Sequence, residues 1–152
     1  MPLSELLSAE RIAALPALRD RDAVLLAAAR LLARGDADAD AIAQGLQQRE
    51  ALGSTAIGHG VAIPHGRSRD HDRARAAFLR LDAPVAFGAA DGAPVDLVFA
   101  MVVPEHFTQQ HLQWLAEVAE RFAEPAFRDA LRAAPDPAAM QALLVLPRAA
   151  AA

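Results

Sequence analysis

The chain has 152 residues and a formal net charge of −4, which suits one domain with a sizeable core and argues against nucleic acid, whose phosphates demand a basic footprint. It contains no cysteine, so a disulfide framework and thiolate metal sites are excluded, and no stretch reaches the about 18 apolar residues of a membrane span. The N-terminus carries Glu5 and Glu10 and no basic region, unlike a signal peptide, so a cytoplasmic domain without membrane insertion is expected, and the Ala/Arg-rich composition suggests a bacterial one.

Leu3–Leu15 mixes apolar and charged residues and reads as a short opening strand or turn and a helix. Asp20 or Asp22 can cap the next helix, with Val24, Leu25, Leu31 and Leu32 as its apolar stripe and Gly35 as its stop. Asp36 or Asp38 caps a second helix with Ile42, Leu46 and Leu52 inward and Gly53 at its end. Arg49 lies in its last turns, where the dipole favours a cation. The segment from Ser54 to Arg67 then separates helix-like from strand-like sequence. Within it Val61–Ile63 reads as a short apolar strand, Pro64 biases Ile63 towards an extended backbone, and Gly66 opens space behind His65. A side chain that only filled a core would not need such a frame, so the segment reads as presenting one imidazole to a visitor.

Ser68–Arg75 reads as a polar loop or short helical turn, Ala76–Leu81 as a strand, Ala83–Gly88 as a short strand or loop, and Asp91-Gly92 as a turn. Val95–Val103 is the clearest strand. Its near-continuous apolar run predicts burial on both faces, hence a central position with helices on either side. Pro104 ends it, and Thr108 caps a helix with Leu112, Leu115, Ala119 and Phe122 inward and His111 in its first turn. Pro125 opens another helix, with Phe127 and Leu131 inward, and Pro137 a last one through Met140, Leu143 and Leu144. The expectation is one α/β domain over residues 3–148, with 149–152 a frayed tail. Strand order is not legible.

Three residues offer chemistry. A neutral imidazole carries a free lone pair, so His65 can serve as base, metal ligand or nucleophile, or it can merely hydrogen-bond at its corner. His111 sits where helix N–H groups favour an anion, although a histidine there can simply face water. The Arg49 guanidinium is a planar fork suited to phosphate oxygens, although most helix arginines are only solvated. If the three converge, they make a site that holds a phosphoryl group without being built to hydrolyse it. Zinc is the rival, because His59, His65 and His71 are spaced by six. That spacing fits neither a helical pair nor a ligand loop, so no metal is expected. A serine hydrolase lacks its G-x-S-x-G elbow, and no G-K-[ST] follows the glycines as a P-loop requires. His59, His71 and His106 read as surface residues.

Arg49-Glu50-Ala51-Leu52-Gly53-Ser54-Thr55 followed by Gly60-Val61-Ala62-Ile63-Pro64-His65-Gly66 resembles the EIIA type 2 family of the phosphotransferase system, the fructose/mannitol group that includes the nitrogen-regulatory EIIA. The likeness extends through Pro94–Ala100 and the His111-Leu112 helix. It implies a mixed central sheet flanked by helices on both faces, and His65 as the residue phosphorylated, through Nε2. Arg49 and His111 match positions lining the phosphate site, and Ser54 and Thr55 of the same motif are counted with them. The implied donor is a small histidine-phosphocarrier protein, HPr or its nitrogen-branch relative NPr. An EIIB domain or regulatory proteins would be downstream, and no cofactor is called for. No EIIB or EIIC portion follows in the sequence, which suits the nitrogen-regulatory branch. A separate sugar-specific subunit, or a binding module that never passes the group on, would look similar.

Overall fold

The computed structural model describes residues 3–106 and 109–146. In chain order it runs α1 (Leu3–Leu6), a 3-10 turn (Ala9–Arg11), β1 (Ile12–Leu15), α2 (Arg21–Leu32), α3 (Asp36–Leu52), β2 (Ala56–Gly58), β3 (Val61–Ala62), β4 (His65–Ser68), β5 (Arg75–Val85), β6 (Val95–Pro104), α4 (Gln109–Phe122), α5 (Pro125–Ala133) and α6 (Pro137–Val145).

The sheet is organised about β6. It pairs antiparallel with β5 on one side. On the other it runs parallel to β3 at Leu97–Val98, then to β4 from Met101 to Pro104. β1 lies parallel to β5, and β2 antiparallel to β3, giving the path β1-β5-β6-β3-β2 with β4 taking over from β3 along β6. Side chains alternate across a strand, and in β6 both sets are apolar. Leu97, Phe99, Met101 and Val103 join a core with Leu6, Val118, Phe122, Leu131 and Met140. Val98, Ala100 and Val102 join a second core with Val24, Leu25, Leu32, Ile42 and Leu46. Helices α2 and α3 therefore cover one face and α4–α6 the other, the mixed α/β sandwich expected.

The helix ends follow local chemistry. Asp20 caps α2 by accepting the Ala23 N–H at 2.9 Å. α3 starts after Gly35 without a side-chain cap, and Asp38 instead accepts the Arg34 N–H at 2.9 Å. Pro125 and Pro137 open α5 and α6, where a missing N–H costs nothing. Thr108, the expected cap of α4, and the tail 149–152 lie outside the described residues.

Several expectations need correction. Leu52 and Leu112 face outward, at 86% and 55% exposure. Ala28 and Ala29 are buried in α2, whereas Leu31 only packs against the core edge. His71 is buried at 4% exposure, because the loop after β4 folds it onto α3, where Nε2 meets the Asp38 carboxylate at 2.9 Å. His59 and His106 are exposed, as expected.

Candidate functional site

His65 is the first residue of β4, immediately past the break that Pro64 imposes on the edge next to β6. The Pro64 carbonyl accepts the Met101 N–H at 2.9 Å, so the break is anchored in the sheet. Upstream, β2 and β3 are joined by a turn with His59 at φ 59° and Gly60 at φ 79°, the left-handed pair that a tight hairpin requires. A Cβ on Gly60 would meet Arg132 Nη2 at 2.6 Å. That nitrogen donates to the His59 carbonyl, and the same guanidinium grips Asp96.

Register places His65 beside Met101 and Gly66 beside Val102. The imidazole thus leaves on the α4 face, and Gly66 turns to α3. Gly66 is expected to open space behind His65, and on that side it is α3 that comes close: a Cβ on Gly66 would lie 3.1 Å from the Gly45 carbonyl carbon and 3.3 Å from Leu46 N. Gly66 is there to let α3 approach.

His65 is partly exposed and lies between two adjoining cavities. One, of about 310 Å³, is lined by Arg49, Ser54, Thr55, Ile63, Leu115 and Ala119. The other, of about 420 Å³, is lined by Gln48, Arg49, Leu52, Arg67 and Leu112. His65 Nδ1 lies 3.0 Å from the Ile63 carbonyl oxygen. A carbonyl only accepts, so Nδ1 carries the proton and Nε2 keeps its lone pair. Burial pushes the imidazole pKa below its usual value, opposed by the Ile63 bond. Arg49 lowers it further and Glu50 raises it. The neutral form is therefore the resting one near pH 7.

Arg49 and His65 are brought together. Arg49 lines both cavities, and its guanidinium makes one Nη1 bond, 2.9 Å, to the Gly53 carbonyl. Ser54 and Thr55 line the first cavity too, but their hydroxyl protons are committed. Ser54 donates to the Phe87 carbonyl at 2.6 Å, and Thr55 donates to the Glu50 carboxylate. Both hydroxyls thus tie the loop to its surroundings. His111 is not brought to His65. It is buried on the core side of α4 at 7% exposure, with its ring 4.9 Å from that of Trp114. It lines a different cleft with Glu5, Asp72 and Arg73. The reason is helical phase. Leu112, Leu115, Ala116 and Ala119 turn to His65, and the neighbouring stripe of His111, Val118 and Phe122 is drawn into the core. Burial lowers the His111 pKa as well.

Sequence reasoning passed over Glu50. It is 3% exposed, and its carboxylate accepts the Thr55 N–H at 3.1 Å as well as the hydroxyl. A signal was present: an acid in the last turn of a helix opposes the dipole, so something else must hold it. Among the described residues, no group of three or more metal-ligating side chains comes together.

Residues 5–145 match the family described as phosphoenolpyruvate-dependent sugar phosphotransferase system, EIIA 2. A nitrogen regulatory protein of Pseudomonas aeruginosa is 45% identical over 124 residues, 80% of either chain. One from Bradyrhizobium diazoefficiens is 39% identical over 155 aligned positions, 100% of either chain. The crystal structure of nitrogen regulatory protein IIA-Ntr from Neisseria meningitidis matches with a TM-score of 0.86 at 35% identity, over 93% of this chain and 98% of that one. IIA mannitol from Escherichia coli, at 21% identity and a TM-score of 0.74, shares the fold over 91% of this chain and 98% of its own.

Proposed function

This chain belongs to the EIIA type 2 family of the phosphoenolpyruvate-dependent phosphotransferase system, and on that footing we propose that it carries a phosphoryl group on His65 Nε2 in a nitrogen-regulatory branch. The observation that carries the reading is the divided imidazole. Nδ1 is tied to the Ile63 carbonyl, and Nε2 is left bare beside Arg49 in an open cavity. In the transfer, the donor's P–N bond breaks with its electron pair left on the donor ring, and the Nε2 lone pair forms the new bond. The proton stays on Nδ1, donated to the Ile63 carbonyl, throughout. Positioning and charge stabilisation carry such a step. A phosphoryl group adds close to two negative charges, and each charge-assisted bond from Arg49 contributes about 1.5–3 kcal/mol. That holds the group without making it inert. The carboxylate of Glu50 and the hydroxyls of Ser54 and Thr55 are all bonded to protein, so none of the three is free to activate water.

The donor is a small phosphocarrier of the HPr or NPr kind, docking on the apolar side chains around His65. Leu52, Ile57 and Leu112 are exposed there, and a relay needs only a small, transient interface. The Pseudomonas and Bradyrhizobium relatives are named nitrogen regulatory proteins. Their names favour regulatory targets for the same face, with onward transfer to an EIIB domain as the sugar-branch alternative. The family match over 5–145 supports residues 3–148 as the working domain. The relay operates in the cytoplasm, and among the described residues no helix is long and apolar enough to cross a membrane.

The test is phosphorylation from labelled phosphoenolpyruvate with enzyme I and the carrier. One labile phosphoryl group per chain is expected on residue 65, and none on His65→Ala; equal labelling of the variant sinks the assignment. Chasing the label into EIIB separates a carrier from a module whose phosphorylation state only changes its binding partners.

A further inference from the structure

We propose that Glu50 is a positioning residue for His65, its buried carboxylate favouring, through Thr55 and the main chain on both sides of the Ile63 Cα, an imidazole protonated on Nδ1 and bare on Nε2. The inference rests on the carrier reading above and names a part of its machinery.

The chain of contacts is continuous. Glu50 accepts the Thr55 N–H at 3.1 Å and the Thr55 hydroxyl. The Thr55 carbonyl accepts the Ile63 N–H at 3.0 Å. The Ile63 carbonyl accepts from His65 Nδ1, also at 3.0 Å. Each link crosses between elements: from the last turn of α3 to the loop before β2, from that loop to the residue after β3, and from there to the start of β4. The N–H and the carbonyl of Ile63 belong to successive peptide planes that hinge at its Cα, and Pro64 after it restricts the ψ between them. Anchoring the first plane through Thr55 to Glu50 therefore biases the direction of the Ile63 carbonyl and with it the ring tautomer.

A charge in this place asks for such a role. Burying a carboxylate at 3% exposure is costly, and its helix end is the unfavourable one for an anion. Among the described residues Glu50 forms no ion pair, since the neighbouring Arg49 turns to the Gly53 carbonyl and the cavity. Its bonds to Thr55 are what hold it. The charged groups around the imidazole are few: Arg49 and Glu50 from α3, and Arg67 beyond it on β4. α4 contributes Leu112, Leu115 and Ala116 to that side and no charge. Glu50 is thus the anion that offsets Arg49 while it sets the ring.

Two substitutions cut the anchor differently. Glu50→Gln removes the charge and one acceptor, and Thr55→Val removes the hydroxyl and keeps the carboxylate. Nitrogen-15 spectra of the unphosphorylated full chain read the His65 tautomer, and rapid-quench transfer from the phosphocarrier reads kcat and KM. In both variants the share of ring carrying its proton on Nε2 rises. kcat falls about tenfold or more, with KM for the carrier held within about twofold. The double variant loses no more than the worse single, since both cut one chain of bonds. Wild-type tautomer in both variants, unchanged kcat, or a loss in KM alone overturns the proposal. Should Glu50→Gln fail to fold, Thr55→Val decides the same points. If the wild-type chain accepts no phosphoryl group on residue 65, the carrier reading falls while the spectra still decide the positioning.

Discussion

At His65 the main chain gives the two ring nitrogens different work, and the charges nearby set when that work is possible. Burial lowers the pKa, the Ile63 bond opposes it, Arg49 lowers it and Glu50 raises it. Only the neutral ring offers a lone pair. Phosphoryl acceptance should therefore stay level as pH drops from 8 past the ordinary imidazole value of about 6.5, and fall only below the depressed pKa. The stability sign follows from the same shift. Below about 6.5 the unfolded chain takes up a proton that the folded ring resists, so this group withdraws stability on the acid side. Arg49→Ala removes a lowering charge and should move the acid limb of the pH profile to higher pH. It should also slow transfer about a hundredfold, because a preorganised donor to the moving charge is gone. Rapid-quench rates across pH check both; an unmoved limb would mean that Arg49 does not face the ring.

Between elements, the joint of β4 with α3 is the one on which the site depends. Gly66 and Gly45 meet there, but they are not equivalent. A methyl on Gly66 would press on α3 backbone at 3.1 Å, whereas one on Gly45 would meet Arg67 O at an ordinary 3.5 Å. Gly66→Ala should cost about 1–3 kcal/mol by overpacking. Gly45→Ala should be neutral or stabilising by up to about 1 kcal/mol through helix propensity. Thermal melts of the two variants give the comparison. At the other end of α3, His71 and Asp38 pin the loop after β4. Burial raises the Asp38 pKa, but bonds from the Arg34 N–H and from His71 outweigh it and hold the carboxyl below its usual value. Its stabilisation is present above the ordinary carboxylate range and lost as pH falls through the depressed pKa. His71→Ala should cost about 1–3 kcal/mol at neutral pH by leaving that carboxylate with Arg34 alone, as denaturant titration would measure. A variant as stable as wild type would show that the pair is ornamental.

Taken whole, the molecule spends its apolar side chains in two ways. Most fill the cores on either side of β6, where Phe122 meets Phe78, Phe99 and Phe127 with ring centres 6.1, 6.0 and 5.1 Å away. Phe122→Ala should cost about 3–5 kcal/mol. Among the described residues, the large apolar side chains left exposed are Leu52, Ile57, Leu112 and Leu146, and the first three lie beside His65. Leu52→Ser and Leu112→Ser should raise KM for the phosphocarrier about tenfold while leaving kcat and melting temperature in place. Titration of the carrier against each variant checks this, and an unchanged KM would remove that face from the interface.

Local order sufficed for β6, whose apolar run, interrupted only at Asp96, reads as a strand buried on both faces, and for the prolines opening α5 and α6, whereas it left the cap of α2 between Asp20 and Asp22. The break at Pro64 and the histidine after it were equally plain, because φ of proline is set by its own ring. Tertiary structure decided the rest. Adjacent residues of a helix point about 100° apart, so whether His111 or Leu112 turned to His65 depended on how Phe122 and Val118 sank into the core. Gly66 is explained by a helix twenty-one positions earlier in the chain, at Gly45. The hydroxyls of Ser54 and Thr55 were spent on Phe87 O and Glu50, and His71 was buried by Asp38. Such contacts join residues that become neighbours only once the chain has folded, and neither periodicity nor composition encodes them.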